Sequence, residues 1–394
     1  MSYVPELPEK LDAPMVGKVD LLVIAGEHSG DEHAAVLVKN LLSERPELRV
    51  ATVGGPLLQK AGAQLLFDLT HMSVVGFIEV LKHYKYFKQL FQKIIDWIEA
   101  YSPQAVLFVD YPGFNLRLTK ALNKIGVAKK AGGNTALLYY IAPQVWAWKE
   151  GRKYEMGKLL DSLSVIFPFE VEVFADTGLA TTYVGHPFLQ HKQDCELVYN
   201  AEAPVLLLGG SRISNVKRVL PILLRTYELY LNNAGKKSAT IVYPSETVRS
   251  EIEKILEDFP ESKSRVSLSK NEGRIEASAV LTPSGTMSLR CALAGIPGRI
   301  VHAIHPLTYL MGRAVVNVPF IGIANLLLNR SFYPEFTQQK AKPKVLAGEL
   351  ARCLEDPHVI HLAQQDCKEL RQLLDQEIGA RPWQWLSQYL QVAH

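Results

Sequence analysis

The chain has 394 residues, of which 48% are apolar and 21% are charged, and this ordinary globular composition excludes a disordered, collagenous or coiled-coil protein. Lysine and arginine number 43 against 40 aspartates and glutamates, a formal net charge of +3, which is too balanced for a protein devoted to binding nucleic acid. At roughly 150 residues per domain, the length predicts two or three domains.

The first residues and the cysteines indicate the compartment. The segment 1–20 carries charges throughout and has no apolar core, so we expect no signal peptide. The four cysteines form no CxxC pair and have no zinc-like histidine spacing nearby, which argues against a disulfide framework and a structural metal. No segment approaches the ~18 uninterrupted apolar residues of a membrane span. We therefore expect a cytosolic protein whose membrane contact, if it has any, is peripheral.

Short apolar runs recur along the chain, each followed by a loop with Gly or Pro and then by a helical stretch. Such runs are typical of parallel sheets built from βαβ units, and there are too many here for one compact sheet. We predict an α/β protein of two doubly wound, Rossmann-like domains with a cleft between them. The predicted strands are 19–25, 50–53, 105–109, 136–141, 163–167, 205–208, 239–242, 279–281 and 298–303.

A polar stretch at 185–200, read as irregular, marks the predicted domain boundary. We place the first domain at 1–188 and the second at 189–365, with C-terminal helices at about 366–394 returning to complete the first. Open parallel sheets bind their ligands beyond the carboxyl ends of the strands. The loops that follow the strands are therefore where we expect the chemistry.

The first such loop lies in LLVIAGEHSGDEHAA. A strand ends at Ala25, Gly26 and Gly30 allow a tight turn, and we expect a helix to begin near Asp31. Free backbone N–H groups at a helix start suit an anion or polar ligand. The alternative is a plain βα turn with Ser29 or Asp31 as the helix N-cap. The loop is not a GxGxxG fingerprint, so the sequence does not support NAD binding.

The second loop, in AVLFVDYPGFN, places Asp110 at the carboxyl end of a buried strand. A carboxylate there, followed by Pro112 and Gly113, is a candidate general base. The alternative is an aspartate that stabilises a turn or caps a helix.

Two loops in the second half suit a diphosphate. In VLLLGGSRISN, Gly209 and Gly210 allow close backbone approach, and Arg212 stands at a helix start. In AVLTPSGTMSLR, residues 284–286 stand between a strand and a helix in the same way. The Walker arrangement and a DxD pair are both absent from the sequence, so these loops indicate a nucleotide-diphosphate ligand that is not held by a metal. A further loop adds Asn325, Arg330 and Glu335.

The stretch 72–93 has an apolar side at helical spacing and four lysines after its last acid. A basic amphipathic helix can lie in an anionic membrane interface or line an acyl-chain site. The alternative is a core helix with a solvated lysine face. The residues proposed for membrane or acyl-chain contact are Phe77, Ile78, Val80, Leu81, Tyr84 and Phe87.

Taken together and in this order, the motifs resemble the lipid-A-disaccharide synthase family over most of residues 20–345. The motifs that carry the resemblance are AGEHSGDEHAA, GGPLLQKAGAQ, MSVVGFIEVL, VDYPGFN, YIAPQVWAWKEGR, FPFEVEVF, YVGHPF, GGSR, SGTMSLRCALAGIP, HPLTY and ANLLLNRSFYPEFTQ.

The resemblance implies an inverting, metal-independent GT-B glycosyltransferase without a cofactor, peripheral on the cytoplasmic face of a Gram-negative inner membrane. It would transfer diacylglucosamine from UDP-diacylglucosamine to the 6-hydroxyl of diacylglucosamine 1-phosphate. Its further partner would be an anionic membrane surface, and it would not bind nucleic acid. The implied site residues are Asp110, as the base, and Glu27 for catalysis; Gly26, Ser29 and Asn115 for the acceptor; and Gly210, Ser211, Arg212, Ser284, Gly285, Thr286, Arg290, Asn325, Arg330 and Glu335 for UDP.

The donor side departs from the family pattern. Arg290 stands where the family normally has a Glu after its SGT motif, Asn215 replaces another Glu, and Gly209 and Ser278 replace a Pro and an Asp. An arginine cannot accept a hydrogen bond from the ribose hydroxyls. We hypothesise that Arg290 contacts the diphosphate, or donates to the ribose while another group accepts.

Three other interpretations stay open at this stage. They are a homologue with an altered donor site that binds lipid or UDP-sugar with little turnover, a UDP-sugar epimerase, and a transferase with another acceptor. The sequence determines neither the oligomeric state nor the acyl-chain length.

Overall fold

The computed structural model describes most of the chain, and this part forms two compact units. Unit 1 comprises Met1–Pro187 together with Gln376–His394, and unit 2 comprises Phe188–Asp375. The described residues are 7–70, 84–146, 149–190, 195–233, 235–303 and 319–391.

Unit 1 is built on one parallel sheet. Its strands are β1 (Leu21–Ala25), β2 (Val50–Gly54), β3 (Gln64–Asp68), β4 (Ala105–Val109), β5 (Ala136–Tyr140), β6 (Ser162–Val165) and β7 (Ala180–Tyr183). They lie in the order β3-β2-β1-β4-β5-β6-β7. Alternate residues of β1 enter two different core clusters, Leu22 and Ile24 in one and Leu21 and Val23 in the other. The sheet is therefore covered on both faces, which is why its central strands are apolar throughout.

Helices cover this sheet. They are α1 (His28–Glu44), α2 (Pro56–Lys60), α3 (Tyr84–Tyr101), α4 (Pro112–Lys124), α5 (Arg152–Leu159) and α6 (Glu170–Phe174). Proline opens α2 and α4, where its missing N–H costs no helical hydrogen bond. Leu90, Ile94 and Ile98 of α3 are fully buried in the core, because their helical spacing puts them on one face.

Unit 2 repeats the plan. Its strands are β8 (Cys195–Tyr199), β9 (Val205–Leu207), β10 (Ala239–Tyr243), β11 (Val266–Lys270), β12 (Gly273–Ala277), β13 (Ala279–Thr282), β14 (Gly298–His302) and β15 (Glu335–Thr337). Six of them form a parallel sheet in the order β11-β10-β9-β13-β14-β15, and β12 pairs with β8 in a small separate sheet. The helices are α7 (Pro187–Gln190), α8 (Ile213–Asn232), α9 (Glu246–Leu256), α10 (Pro260–Lys263), α11 (Thr286–Leu293), α12 (Ile323–Leu328), α13 (Pro343–Glu355) and α14 (Pro357–Leu374).

After α14 the chain returns to unit 1 and forms α15 (Pro382–Ser387). Two tryptophans of α15 anchor it: Trp385 donates its indole N–H to Ser162 at 3.0 Å, and Trp383 donates to Glu44 at 2.6 Å. Both rings are buried in the core of unit 1. The return begins at 376 and not at about 366, because α14 belongs wholly to unit 2, where Arg371 donates to the Leu293 carbonyl at 2.7 Å.

All nine predicted strands are present, with their ends displaced by a few residues. The prediction of an irregular stretch at 185–200 is wrong, because α7 and β8 lie inside it. The order of each sheet reverses direction at one point, between β1 and β4 in unit 1 and between β9 and β13 in unit 2. Ligands of doubly wound sheets bind at such switch points. The loops that follow these four strands are the loops singled out by the sequence.

Candidate active site

The loop after β1 leads into α1, which begins at His28 with Glu27 as the N-cap in extended backbone. The predicted start near Asp31, with Ser29 or Asp31 as the cap, is wrong. The buried Asp31 carboxylate instead accepts three backbone N–H groups at the start of α2, from Gly55 at 2.9 Å and from Leu57 and Leu58 at 3.0 and 3.1 Å. Burial raises the pKa of Asp31, and the three N–H donors oppose that rise. Glu27 and Ser29 are half-buried.

Asp110 follows β4 directly. Both Asp110 and the next residue, Tyr111, have a left-handed backbone, with φ of 44° and 48°. Such a conformation costs roughly 1–3 kcal/mol for each non-glycine residue and persists only where neighbouring contacts enforce it. The Asp110 N–H donates to the Tyr140 carbonyl at 3.1 Å, and its carbonyl accepts from the Tyr139 hydroxyl at 2.5 Å and from the Asn115 amide at 2.7 Å. These three bonds hold the backbone of Asp110, from which its carboxylate projects.

Gly26 and Tyr111 connect the β1 and β4 loops. A Cβ atom on Gly26 would lie 2.2 Å from Cδ1 of the Tyr111 ring, so only glycine permits this approach. The Tyr111 ring also packs against Phe114, with centroids 6.0 Å apart. Gly26 therefore supports the left-handed turn that carries Asp110.

Asn115, which the resemblance implied as an acceptor contact, contacts the backbone of the Asp110 turn. Its side chain is fully buried in α4, and its amide donates to the carbonyls of Val109 and Asp110. Tyr139 is buried beside it, and burial together with the nearby Asp110 charge raises the pKa of its phenol well above the ordinary value. Tyr139 is thus a neutral donor to the Asp110 backbone, and Asn115 donates to the same carbonyl, while its contact with the acceptor stays a prediction.

A second buried polar cluster follows β6 and β7. The Glu170 carboxyl accepts from the Trp146 indole and from the Phe167 backbone N–H, both at 3.2 Å. The Phe167 ring also lies against His186, with centroids 5.4 Å apart. Burial raises the pKa of Glu170 to about 8 and lowers that of His186 to about 3, so both side chains are neutral at pH 7. Sequence reasoning gave these side chains no role, although FPFE and GHP were among the motifs that carried the resemblance.

The neutral Glu170 predicts a pH-dependent stability. The carboxyl ionises near 4.5 when unfolded and near 8 when folded, so its contribution to stability is present below 4.5 and is lost as pH rises from 4.5 to 8. Glu170→Gln keeps the acceptor for Trp146 but cannot ionise. Between pH 5.5 and 7.5 we expect the unfolding free energy of the parent to fall, relative to that of Glu170→Gln, by about 1.4 kcal/mol for each pH unit.

Urea denaturation of both proteins at pH 5.5, 6.5 and 7.5 measures this shift. The matched control is Glu172→Gln, since Glu172 is exposed on the same helix. A difference between Glu170→Gln and the parent that stays constant across the three pH values contradicts the prediction.

The loop after β9 carries Gly210, Ser211 and Arg212 and leads into α8. Gly210 has φ of +95°, and a Cβ atom there would stand 3.3 Å from Cβ of Asn215 and 3.6 Å from Cγ of Pro283. Ser211 is exposed, and the exposed Arg212 is the N-cap of α8. Because Pro283 belongs to the loop after β13, the two predicted diphosphate loops are neighbours at the switch point of unit 2.

The loop after β13 begins α11. Ser284 is half-buried, Gly285 has φ of +150° in a region where L-residues are rare, and the exposed Thr286 opens the helix. The Ser288 hydroxyl donates to the Gly285 carbonyl at 2.7 Å. Backbone N–H groups at a helix start of this kind favour an anion.

Arg290 is held within unit 2. Its guanidinium donates to the Cys195 carbonyl and lies over the Phe188 ring, 5.4 Å from the centroid. It also contacts the Met287 sulfur at 3.7 Å. The hypothesis that Arg290 reaches the diphosphate or the ribose stays a prediction.

Three residues expected to contact UDP are engaged with the protein itself. The buried Asn325 amide donates to Tyr333 at 2.7 Å and to Glu335 at 2.8 Å, and its carbonyl accepts from the Tyr333 N–H. The Glu335 carboxylate also accepts the N–H groups of Ile321 and Gly322 before α12. Arg330 pairs with Asp366 and Glu369 of α14. These contacts place Asn325 and Glu335 at the start of α12 and link Arg330, which follows α12, to α14. Their contact with UDP stays a prediction.

Most of the predicted lipid-facing residues lie outside the described residues. Phe77, Ile78, Val80 and Leu81 are outside the described residues, as is the side chain of Tyr84. Phe87 on α3 is half-buried against the core, and Lys85 and Lys88 are exposed. No helix within the described ranges is long and apolar enough to cross a membrane. Among these same residues, His, Cys, Asp and Glu side chains form no cluster of three or more that could hold a metal ion.

Solved structures define the class. A putative UDP-N-acetylglucosamine 2-epimerase from Listeria monocytogenes matches with a TM-score of 0.56 at 13% identity, covering 92% of this chain and 99% of its own. A calicheamicin glycosyltransferase matches with a TM-score of 0.53 at 15% identity, covering 95% and 100%. With two parallel sheets of Rossmann type, the chain has the GT-B fold of glycosyltransferases.

The family follows from sequence comparison. A family model described as lipid-A-disaccharide synthetase matches residues 21–387. A lipid-A-disaccharide synthase from Nitrosococcus oceani is 32% identical over 378 residues, which is 93% of this chain and 91% of the relative. This chain belongs to the lipid-A-disaccharide synthase family.

Proposed function

We propose that this chain synthesises the lipid A disaccharide. It transfers 2,3-diacylglucosamine from UDP-2,3-diacylglucosamine to the 6-hydroxyl of 2,3-diacylglucosamine 1-phosphate, giving the β-1′,6-linked disaccharide 1-phosphate and UDP. The acceptor oxygen forms a bond to the anomeric carbon as the bond from that carbon to the UDP oxygen breaks. One displacement inverts the configuration, and UDP leaves with the bonding electrons.

The observation that carries the proposal is the fixed left-handed turn at Asp110. This carboxylate follows β4 at the switch point of unit 1, where doubly wound sheets bind ligands. It is the candidate base that takes the proton from the acceptor hydroxyl, and positioned bases contribute about 10²–10⁴-fold to rates. Glu27 and Ser29, half-buried after β1 on the other side of that switch point, are the candidate acceptor contacts.

The site for the UDP-sugar requires groups that donate hydrogen bonds to its diphosphate. Arg212, the Gly210–Ser211 backbone and the 284–286 loop supply a guanidinium and helix N-terminal amides at the switch point of unit 2. Such groups stabilise the negative charge that develops on a leaving diphosphate. We propose that they do so without a metal ion or cofactor, so that turnover is insensitive to EDTA.

Turnover tests the proposal directly. Purified protein is incubated in detergent with UDP-diacylglucosamine and diacylglucosamine 1-phosphate, with and without EDTA, and the product is identified by mass spectrometry. We expect disaccharide 1-phosphate in both arms. No product from folded protein, in a mixture where an authentic synthase is active, contradicts the function; product lost only with EDTA contradicts metal independence.

We propose peripheral binding to the anionic cytoplasmic face of the inner membrane, because both substrates carry acyl chains and α3 presents lysines. Flotation with vesicles of mixed phosphatidylglycerol and phosphatidylethanolamine, against pure phosphatidylcholine, measures it. We expect the protein to float with the anionic vesicles and less so at high salt. Protein that stays at the bottom with both vesicles contradicts the membrane assignment and leaves the reaction untouched.

A further inference from the structure

A contact between Ser284 and His302 lies beside the proposed diphosphate site. The Ser284 hydroxyl is 3.4 Å from Nδ1 of His302. His302 ends β14 and Ser284 follows β13, and these two strands are parallel neighbours. The imidazole therefore contacts the first residue of the 284–286 loop. The distance is at the long end of hydrogen bonding, and such contacts commonly shorten when ligand binds.

The surroundings of His302 favour a neutral ring in the absence of ligand. The residue is half-buried, and this burial lowers its pKa below the ordinary value, while the Glu335 charge opposes that fall. Glu335 comes from β15, the strand on the other side of β14. Its carboxylate also accepts hydrogen bonds from the N–H groups of Ile321 and Gly322 and from the Asn325 amide. Among the described residues, Glu335 is the charged group that acts on His302.

A bound diphosphate changes this balance. A negative charge within about 4–6 Å of a histidine favours its protonated form. The Ser284 hydroxyl can donate to a phosphate oxygen while accepting from the protonated Nδ1, so the ring would act on the diphosphate through Ser284. His302 would therefore carry a positive charge when the diphosphate is bound and would be neutral when it is not.

We propose that His302 is a donor-side positioning residue that takes up a proton from solvent when a nucleoside diphosphate binds at the 284–286 loop and holds that diphosphate through Ser284. The proposal rests on the donor site of the proposed function. It assigns the site a charge that appears on binding, in addition to the permanent charge of Arg212.

Calorimetry with UDP tests the proposal. Binding is measured between pH 6 and 8 in pairs of buffers with different ionisation enthalpies, which gives the protons taken up per UDP. The variants are His302→Gln, Ser284→Ala and, as the matched control, His358→Gln, since His358 is exposed on α14 of the same unit. The titration of the UDP terminal phosphate is common to all four proteins and cancels in the comparison.

We expect the parent and His358→Gln to take up more protons than His302→Gln near pH 7. We expect the affinity of the parent to fall by about threefold to tenfold more than that of His302→Gln between pH 6 and 8, since one fully coupled proton gives tenfold per unit. Ser284→Ala should reduce the proton uptake while circular dichroism stays unchanged.

Equal proton uptake by the parent and His302→Gln overturns the proposal, as does failure of the parent to bind UDP. The disaccharide assay separates this result from the proposed function. A parent that makes disaccharide without His302-dependent proton uptake leaves the function standing and removes the inference. A parent that binds UDP with His302-dependent uptake, yet makes no disaccharide, supports the inference and removes the function.

Discussion

Asp110→Asn is expected to lower kcat by about 10²–10⁴-fold, the usual contribution of a positioned general base. Asparagine has the same shape, tolerates left-handed backbone and cannot accept the acceptor proton at neutral pH. The turn, which is held by Tyr139, Tyr140 and Asn115 through backbone atoms of Asp110, should therefore survive. Disaccharide formation at saturating substrates measures kcat, and UDP affinity should stay within about twofold, because Arg212 and the 284–286 loop belong to unit 2.

The control for this variant is Asp96→Asn, which changes an exposed carboxylate on α3 to the same amide. It should leave kcat unchanged. The acidic limb of the pH profile of kcat/KM should be present in the parent and absent in Asp110→Asn. If Asp110→Asn keeps more than about a tenth of the parental kcat, the carboxylate is not the base, and the turn has only a structural role.

The fold was largely predictable because central parallel strands are buried on both faces. Every residue of β1, β4 and β5 is buried, so each strand is an uninterrupted apolar run in the sequence. The strands not predicted are the four sheet edges and the small two-stranded sheet: β3, β7, β11, β15, β8 and β12. Their exposed or half-buried positions mix Thr, Ser, Lys and Glu with apolar residues, as in VSLSK of β11. Edge strands lack the covering that imposes an apolar run, so their sequences resemble loops.

The positions of the candidate loops were predictable from the strands they follow, whereas the protein contacts of their polar side chains were not. Strand order brings together the loops after β1 and β4, and those after β9 and β13, and sequence spacing identified all four. Spacing alone could not show where a polar side chain points. Asn325 and Glu335 satisfy backbone groups around α12, and Asp31 satisfies those of α2, because buried N–H groups must find acceptors. Residues that satisfy backbone groups and residues that bind a ligand are of the same types, so spacing does not separate them.

Gly26→Ala is expected to damage activity without altering any group that reacts. The new methyl would meet the Tyr111 ring at 2.2 Å, well inside van der Waals contact, so either the ring or the left-handed turn must move. Overpacking of this kind costs about 1–3 kcal/mol of stability. Displacement of Asp110 by even an ångström can lower kcat by about 10²-fold, because the base must align with the acceptor hydroxyl.

Gly113→Ala is the matched control, because Gly113 lies in the first turn of α4, shortly after Asp110 in sequence, and a Cβ atom there would meet nothing within 4 Å. It should leave both stability and kcat close to those of the parent. Adding Tyr111→Ala to Gly26→Ala removes the ring with which the new methyl would clash. The double variant should therefore be more stable than the summed effects of the two single substitutions predict. Coupling energies between residues in contact reach about 0.5–3 kcal/mol. Two outcomes would contradict the prediction: stability changes of Gly26→Ala and Tyr111→Ala that simply add, or a Gly26→Ala variant as active as Gly113→Ala. Either would show that the contact between Gly26 and the Tyr111 ring does not position Asp110.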